Sequence, residues 1–186
     1  MQILDGQFKR LHLKSSTSPK VRPTARRTRE ALFEILSSRI EGARFLDLCA
    51  GSGAVGIEAL SRGASHATFV DRSAKMCHFI KENLELCSAP EDAARVFVDD
   101  AENFLRHAAV RAEEAWDITF FDPPYSMDYS PVLTLFEAGK ILKRRGGVLV
   151  VEHHCENILR DEMGRMRRWR SIRLGDSCLS FYERRR

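Results

Sequence analysis

The chain has 186 residues, of which 44% are hydrophobic and 30% charged, and this composition suits one soluble α/β domain with a small appendage. It contains no apolar run of the roughly 18 residues that a membrane span needs, and its first residues lack a signal-peptide pattern. The net charge of +4 is divided unevenly, with +6 in residues 1–30, −7 in residues 31–159 and +5 in residues 160–186. Basic ends around an acidic middle favour a polyanion held by the termini. We expect a cytoplasmic, monomeric protein that does not bind a membrane.

The first residues predict a small β-hairpin, because Asp5-Gly6 stands between short apolar stretches. Residues 14–23 are polar and contain two prolines, which predicts a basic loop, so that 1–23 forms an N-terminal extension of a single domain spanning 1–186. Thr24 can then cap a helix, since apolar residues recur at helical spacing from Ala31 to Leu36.

From residue 43 onward, strands and helices alternate. The pattern predicts strands at 44–48, 67–71, 95–98, 117–121 and 147–151, and helices at 54–61, from Ser73 to about 86, 101–109 and near 130–142. Two further strand-like runs, near 166–174 and 178–183, have no long helix between them and can form an antiparallel hairpin at the edge. This order indicates a parallel, doubly wound sheet.

A glycine-rich loop follows the first predicted strand. Residues 47–56 read Asp-Leu-Cys-Ala-Gly-Ser-Gly-Ala-Val-Gly, and Asp71, an acid that can bind ribose hydroxyls, follows Gly51 by 20 residues. Both dinucleotide and S-adenosylmethionine sites use such loops. The acid before the loop, Asp47, favours S-adenosylmethionine, because a carboxylate repels a pyrophosphate and attracts a sulfonium or an ammonium. We therefore expect Asp47 to be the acid nearest the methionine part of the cofactor.

The cofactor site is expected to extend to the end of the third strand. Asp100 and Ala101 follow that strand, and the Asp100 carboxylate could accept a hydrogen bond from an adenine amino group. Asp99 could do the same or could only cap the following helix. The predicted cofactor-binding residues are Asp47, Gly51, Ser52, Gly53, Asp71, Asp100 and Ala101.

The tetrapeptide Asp122-Pro123-Pro124-Tyr125 comes directly after the apolar fourth strand, at the edge where open α/β sheets bind ligands. The two prolines fix φ and remove backbone donors. The Asp122 carboxylate and the Pro123 carbonyl can bind the two hydrogens of an exocyclic base amine, and Tyr125 can stack on the flipped base. All four are predicted catalytic residues, and methyl transfer to such an amine depends mainly on positioning and electrostatics.

The cysteines and histidines do not indicate a metal site. The five cysteines, an odd number, form no CxxC pair, which favours reduced thiols over a disulfide framework. His153, His154 and Cys155 are consecutive, but neighbours on a strand point to opposite faces and could not share one ion. We expect no metal.

Over nearly its whole length, the chain resembles the bacterial family that methylates the N2 amine of one guanine in 16S rRNA. Besides Asp122–Tyr125, which many amino methyltransferases share, three narrower segments carry the resemblance: the arginine element Arg22-Pro23-Thr24 with Arg27 and Arg29-Glu30, the glycine loop with its helix to Ala64, and the final segment from Gly175 to Tyr182. One residue departs from the family pattern, because Arg26 stands where the family usually has an acid.

The resemblance implies a Rossmann-like methyltransferase fold with a seven-stranded, mostly parallel sheet, one antiparallel strand and a small N-terminal hairpin. It implies S-adenosylmethionine as methyl donor and 16S rRNA or the small ribosomal subunit as partner. It also implies that the hairpin and basic loop grip RNA, with Arg22, Thr24, Arg27 and Arg29 as the predicted contacts.

Three alternatives remain open at this point. The tetrapeptide also fits an adenine-N6 methyltransferase on RNA or DNA, although the chain has no room for a separate DNA-recognition domain. An NAD(P)-dependent oxidoreductase would use the glycine loop, but it leaves Asp122–Tyr125 unexplained. A catalytically silent RNA-binding protein would not need an intact Asp122 and Tyr125.

Overall fold

A computed structural model of the chain describes residues 1–15, 25–111, 115–138, 140–143 and 146–185. The helices within these ranges are α1 (Arg26–Ile35), α2 (Ala54–Ser61), α3 (Ala74–Leu86), α4 (Ala101–Arg111) and α5 (Ser130–Glu137). The strands are β1 (Arg44–Leu48), β2 (His66–Asp71), β3 (Ala94–Val98), β4 (Ile118–Phe121), β5 (Val148–His154), β6 (Glu162–Met163), β7 (Met166–Leu174) and β8 (Ser177–Arg184). None of the described helices is both long and apolar enough to cross a membrane.

The strands form one sheet in the order β3-β2-β1-β4-β5-β8-β7-β6. Strands β1 to β5 are parallel, and β8 runs antiparallel between β5 and β7. The strand order reverses between β1 and β4, so the carboxyl ends of these two strands flank the crevice where a doubly wound sheet binds ligands. The predicted Rossmann-like fold is confirmed, and the two-residue β6 adds an eighth strand to the seven that were expected.

Helices cover both faces of the sheet, because most central strand residues are apolar and need burial on both sides. On one face, α1 and α2 pack against a buried cluster that includes Phe45, Phe120 and Val150. On the other face, α4 and α5 pack against a second cluster that includes Leu149 and Val151. This layering holds the strand ends rigidly, so the loops that follow them have fixed positions.

Most predicted element bounds agree with the structure within one or two residues. Ser73 caps α3 as expected, with its hydroxyl accepting a hydrogen bond from the Met76 N–H at 3.4 Å. The expected cap of α1, Thr24, lies outside the described residues. The helix expected near 130–142 ends at Glu137, and Leu142 forms a parallel bridge with Trp116, just before β4.

The N-terminal residues reverse direction as predicted, with an antiparallel bridge between Gln2 and His12. The reversal rests on α2, where the Gln7 N–H donates to the Ser61 carbonyl at 2.8 Å. Gly6 has a φ of 83°, and a Cβ there would lie 1.8 Å from the Ser61 carbonyl oxygen. Glycine is therefore required at this position both for its backbone angle and for the close approach.

Two of the five cysteines are joined by a disulfide. Cys155 follows β5 and Cys178 lies in β8, and the antiparallel pairing of these strands brings their Cα atoms to 5.1 Å. The expectation that all cysteines are reduced is wrong for this pair. No spacing pattern signals the pair, because the two residues meet only through the sheet.

Candidate active site

A cavity of about 480 Å³ lies at the carboxyl ends of strands β1 to β5. Five carboxylates line it: Asp71 at the end of β2, Asp99 and Asp100 just after β3, Asp122 just after β4, and Glu152 within β5. The apolar part of the wall includes Val70, Met76 and Met127. An acidic cavity of this size suits a small ligand that carries positive charge.

The glycine loop forms one side of the cavity. Gly51 has a φ of 56°, and a Cβ at this position would meet no atom within 4 Å, so the backbone leaves open space there. The Gly51 N–H donates to Asp71 Oδ2 at 2.9 Å, while Asp71 Oδ1 accepts from the Ser73 N–H at 2.8 Å. Asp71 thus fixes the loops after β1 and β2 relative to each other while lining the cavity.

Four of the predicted cofactor residues line the cavity, namely Gly51, Asp71, Asp100 and Ala101. The other three, Asp47, Ser52 and Gly53, do not line the cavity but support the glycine loop. Gly53 precedes α2 with a φ of 77°, and the Ser52 carbonyl accepts from the Asn83 side chain at 3.0 Å.

Asp47 lies beneath the loop, with only 2% of its surface exposed. Its Oδ2 accepts from the Gly56 N–H at 2.9 Å, near the start of α2. Burial, followed by the nearby Asp122 and Asp71, raises the pKa of the Asp47 carboxyl well above its usual range. In the structure, Asp47 therefore holds the loop in place. Its predicted contact with the cofactor requires a position on the cavity wall, and the structure does not place Asp47 there.

Both acids after β3 line the cavity. Asp99 Oδ1 accepts from the Asp100 N–H at 2.8 Å, and Asp100 Oδ1 accepts from the Glu102 N–H at 2.9 Å. Asp100 therefore caps the start of α4 and still faces the cavity. This geometry is compatible with an adenine contact from either acid.

The four predicted catalytic residues, 122–125, line the cavity on the side opposite the β2 loop. The Asp122 N–H donates to the Leu48 carbonyl at 3.3 Å, which anchors the loop to β1. The Tyr125 hydroxyl lies 2.5 Å from Ser177 Oγ, and its ring meets the His154 ring edge-on at 5.4 Å. Tyr125 is thus held by contacts from β5 and β8 rather than by its own loop alone.

Sequence reasoning missed two residues of this region. Glu152 lines the cavity, and its Oε1 accepts from Ser177 Oγ at 3.0 Å, so Ser177 joins Glu152 to Tyr125. A signal for Glu152 was present, because it is an acid directly after the apolar run 148–151 of a parallel strand. Ser177 lies in the segment 175–182 that carries the family resemblance, but its place at the site follows only from the pairing of β8 with β5.

Cys49 also lines the cavity, close to several of its acids. Burial, followed by the charges of Asp71, Asp122 and Asp100, raises the pKa of the Cys49 thiol. The thiol therefore stays protonated at neutral pH and forms part of the wall, unlike the ionised thiolate that a nucleophile requires.

The consecutive histidines do not share a ligand position. His153 is buried, with Nε2 at 2.9 Å from Ser180 Oγ and Nδ1 at 2.9 Å from the His154 carbonyl oxygen. His154 faces the Tyr125 ring instead, and Cys155 is in the disulfide. In the described part of the chain, no three His, Cys, Asp or Glu side chains are grouped so that they could hold a metal ion.

The predicted RNA contacts divide into three cases. Arg22 and Thr24 lie outside the described residues, and Arg27 is exposed on α1. Arg29 is 2% exposed, and its guanidinium donates to the Gln2 carbonyl at 3.1 Å and lies 3.6 Å from the Glu58 carboxylate. The structure thus directs the charge of Arg29 into the interior, while the predicted RNA contact places it at the surface.

Comparison with known proteins shows the family to which the chain belongs. A family model described as conserved hypothetical protein 95 matches residues 1–183. YlbH of Bacillus subtilis, provisionally named an rRNA methyltransferase, is 36% identical over 186 residues, covering 100% of both chains. The ribosomal RNA small subunit methyltransferase D of Buchnera aphidicola subsp. Acyrthosiphon pisum is 31% identical over 159 residues, covering 84% of this chain and 80% of the relative.

The solved structure of yhhF from Escherichia coli, provisionally described as a methyltransferase, superposes with a TM-score of 0.86 and 31% identity, covering 100% of this chain and 98% of the other. Both the sequence and the fold are therefore shared over essentially the full length. The chain belongs to the family described as conserved hypothetical protein 95, which joins it to relatives named ribosomal RNA small subunit methyltransferase D.

Proposed function

We propose that this protein transfers a methyl group from S-adenosylmethionine to the exocyclic N2 amine of a guanine in 16S rRNA, and that it does so in the cytoplasm. Methylation of small-subunit rRNA rests on the family and on its relatives. The observation that carries the proposal for this chain is the position of the Asp122–Tyr125 loop, which faces the same cavity as the glycine loop.

The cavity fits S-adenosylmethionine. Gly51 offers backbone without a side chain in the way, Asp71 offers a carboxylate to ribose hydroxyls, and Asp100 with Ala101 lies where an adenine amino group can be bound. When bound, S-adenosylmethionine supplies a methyl carbon activated by a positively charged sulfur. The same acidic lining argues against a dinucleotide, because five carboxylates would repel a pyrophosphate.

The residues of the tetrapeptide act on the amine. The Asp122 carboxylate and the Pro123 carbonyl accept its two hydrogens, which directs the nitrogen lone pair into the cavity. Asp122 can also hold the proton that the nitrogen loses when its bond to carbon forms. Tyr125 is fixed through Ser177 and His154, so it presents a rigid ring for stacking on the base. Catalysis is then chiefly positioning and electrostatic stabilisation.

The direct test is transfer of labelled methyl groups from S-adenosylmethionine to naked 16S rRNA and to undermodified small subunits, followed by mass spectrometry of the modified nucleotide. We expect N2-methylguanine at a single position. Another modified base, or transfer of label to no RNA, would overturn the proposal.

The role of Asp122 has a test of its own. We expect Asp122→Ala to lower the transfer rate by at least about 100-fold, since charge-stabilising groups contribute on this scale, while the affinity for S-adenosylmethionine measured by calorimetry stays unchanged. Asp92→Ala is the matched control, because Asp92 is an exposed acid before β3, at the opposite end of the strands. Normal turnover of Asp122→Ala would show that another group serves the amine.

A further inference from the structure

Glu152 lies beside Asp122 near the carboxyl ends of the neighbouring strands β5 and β4. Strands β4 and β5 are parallel neighbours in which Phe121 pairs with Val151, and each of these two residues is followed in the chain by an acid, Asp122 or Glu152. Adjacent strands lie about 4.8 Å apart. Both acids line the cavity. A base amine bound at Asp122 therefore brings its neighbouring ring atom toward Glu152.

The Glu152 side chain is buried and held in place. It is 5% exposed, and its Oε1 accepts from Ser177 Oγ at 3.0 Å, while Ser177 also contacts the Tyr125 hydroxyl. A carboxylate offers about four acceptor positions, so a bond from Ser177 does not prevent it from accepting further hydrogen bonds. Through Ser177, Glu152 is thus connected to Tyr125, on whose ring the base stacks. Its carboxylate can also accept a hydrogen bond from a ligand.

The Watson–Crick edges of the two candidate bases differ at the atom next to the amine. In guanine the N2 amine is followed by N1–H, which is a donor. In adenine the N6 amine is followed by N1, which carries a lone pair and is an acceptor. A carboxylate next to the amine-binding group accepts the guanine N1–H and repels the adenine N1, so it both selects one base and rejects the other.

We propose that Glu152 is the specificity-determining residue of this enzyme, accepting the N1–H of the target guanine while Asp122 binds its N2 amine. The inference rests on the proposed function, because it takes the base amine to lie at Asp122. It adds what Asp122–Tyr125 cannot supply, since that loop binds the amine of guanine or of adenine equally well.

The test compares guanine with 2-aminopurine at the methylated position of reconstituted small subunits. 2-Aminopurine keeps the N2 amine but has no hydrogen on N1. Because a hydrogen bond to a charged group contributes about 1.5–3 kcal/mol, we expect wild-type kcat/KM to favour guanine by roughly 10- to 150-fold. In Glu152→Gln the side-chain amide can accept from guanine N1–H or donate to 2-aminopurine N1, so we expect the preference to fall at least tenfold.

Comparing the two preferences as a ratio removes the intrinsic reactivity of each base, because that reactivity does not depend on residue 152. Glu183→Gln is the matched control, since Glu183 lies in β8 opposite Val148, at the other end of β5, and pairs with Arg39. Its preference should equal that of the wild type. Glu152→Asp keeps the carboxylate and should keep a preference of at least tenfold even if its rate falls.

The outcomes separate this inference from the function on which it rests. A wild type that methylates guanine but favours it less than tenfold over 2-aminopurine overturns the role of Glu152 without any variant. The role of Glu152 is also overturned if Glu152→Gln folds and binds S-adenosylmethionine normally but lowers the preference for guanine by less than tenfold. A wild type that methylates no base of the subunit overturns the proposed function and this inference together.

Discussion

Asp47 shows how burial can change the role of a single residue. Its carboxyl group lies beneath the glycine loop, where Oδ2 accepts from the Gly56 N–H. Burial raises its pKa, so the folded protein holds a proton on Asp47 more tightly than the unfolded chain does. The stabilising contribution of this group is therefore complete below the unfolded value of about 3.9 and is lost as the pH rises through the folded value.

We expect Asp47→Asn to remove this pH dependence, because an asparagine oxygen can still accept from Gly56 but does not ionise. In urea unfolding between pH 4 and pH 8, the free energy of unfolding of the wild type should fall relative to Asp47→Asn by at least about 1 kcal/mol. All other titrating groups are common to both proteins and cancel in the difference. Parallel pH profiles would show that Asp47 is ionised equally in the folded and unfolded states.

The sequence predicted the chemical role of individual residues better than it predicted whether each residue is buried. The acids at the strand ends, such as Asp71 and Asp100, could be placed at the cavity because the carboxyl ends of parallel strands meet at one edge. Asp47 and Arg29 carry charges that normally lie at the surface, so their burial became visible only with their partners Gly56 and Glu58.

At the scale of elements, Arg29 joins α1 to the N-terminal hairpin. Its guanidinium bonds the Gln2 carbonyl and faces Glu58, a fully buried acid in α2 that also accepts from the Leu4 and Asp5 N–H groups at 2.8 and 3.0 Å. Hairpin, α1 and α2 thus share one buried polar network. Arg62 also pairs with Glu58, at 2.8 Å, so removing Arg29 takes away one of the two cations beside this buried carboxylate and the hydrogen bonds to Gln2.

We expect Arg29→Ala to lower the free energy of unfolding by about 1.5–3 kcal/mol, the contribution of hydrogen bonds that involve a charged group, as measured by urea denaturation. Arg27→Ala, two residues away on the exposed side of α1, is the control and should change it by less than about 0.5 kcal/mol. A decrease of less than about 1 kcal/mol in Arg29→Ala would show that Glu58 does not depend on Arg29.

The order of elements could be predicted because strands buried on both faces and helices with one apolar face have distinct patterns, as in 44–48 and 74–86. Features that depend on pairing could not. The short β6 exists only through its bonds to β7, and the Cys155–Cys178 disulfide follows from the register of β5 with β8. Neither leaves a periodic trace in the sequence.

Across the whole molecule, the cavity and the outer part of the sheet carry charges of opposite sign. The cavity is lined by five carboxylates, which suits the cationic donor but repels an RNA backbone. Strand β7, near the opposite edge from β3, is rich in arginine. A bulge between Arg168 and Arg170 keeps Arg167 and Arg170 on one face, since they pair with Glu183 and Phe181, two residues apart. Trp169 is 41% exposed between them.

This arrangement allows RNA to bind along β7 through phosphate contacts and stacking, outside the acidic cavity that receives one base. We expect Arg167→Gln combined with Arg170→Gln to weaken binding of undermodified small subunits. The slope of log Kd against log salt should become shallower by roughly 0.7 to 0.9 for each phosphate that the variant no longer binds, while the affinity for S-adenosylmethionine stays unchanged. Filter binding between about 50 and 200 mM salt measures both the affinity and the slope.

The matched control replaces two exposed arginines distant from β7, with Arg95→Gln on the edge strand β3 combined with Arg106→Gln on α4. The net charge changes by the same amount in both double variants, so a general decrease in attraction to RNA would affect them equally. A flatter slope only in the β7 variant locates the RNA along that strand, because counterions are released only where arginines meet phosphates. Equal slopes in the two variants would place the RNA elsewhere, with the exposed Arg27 of α1 as the next position to replace.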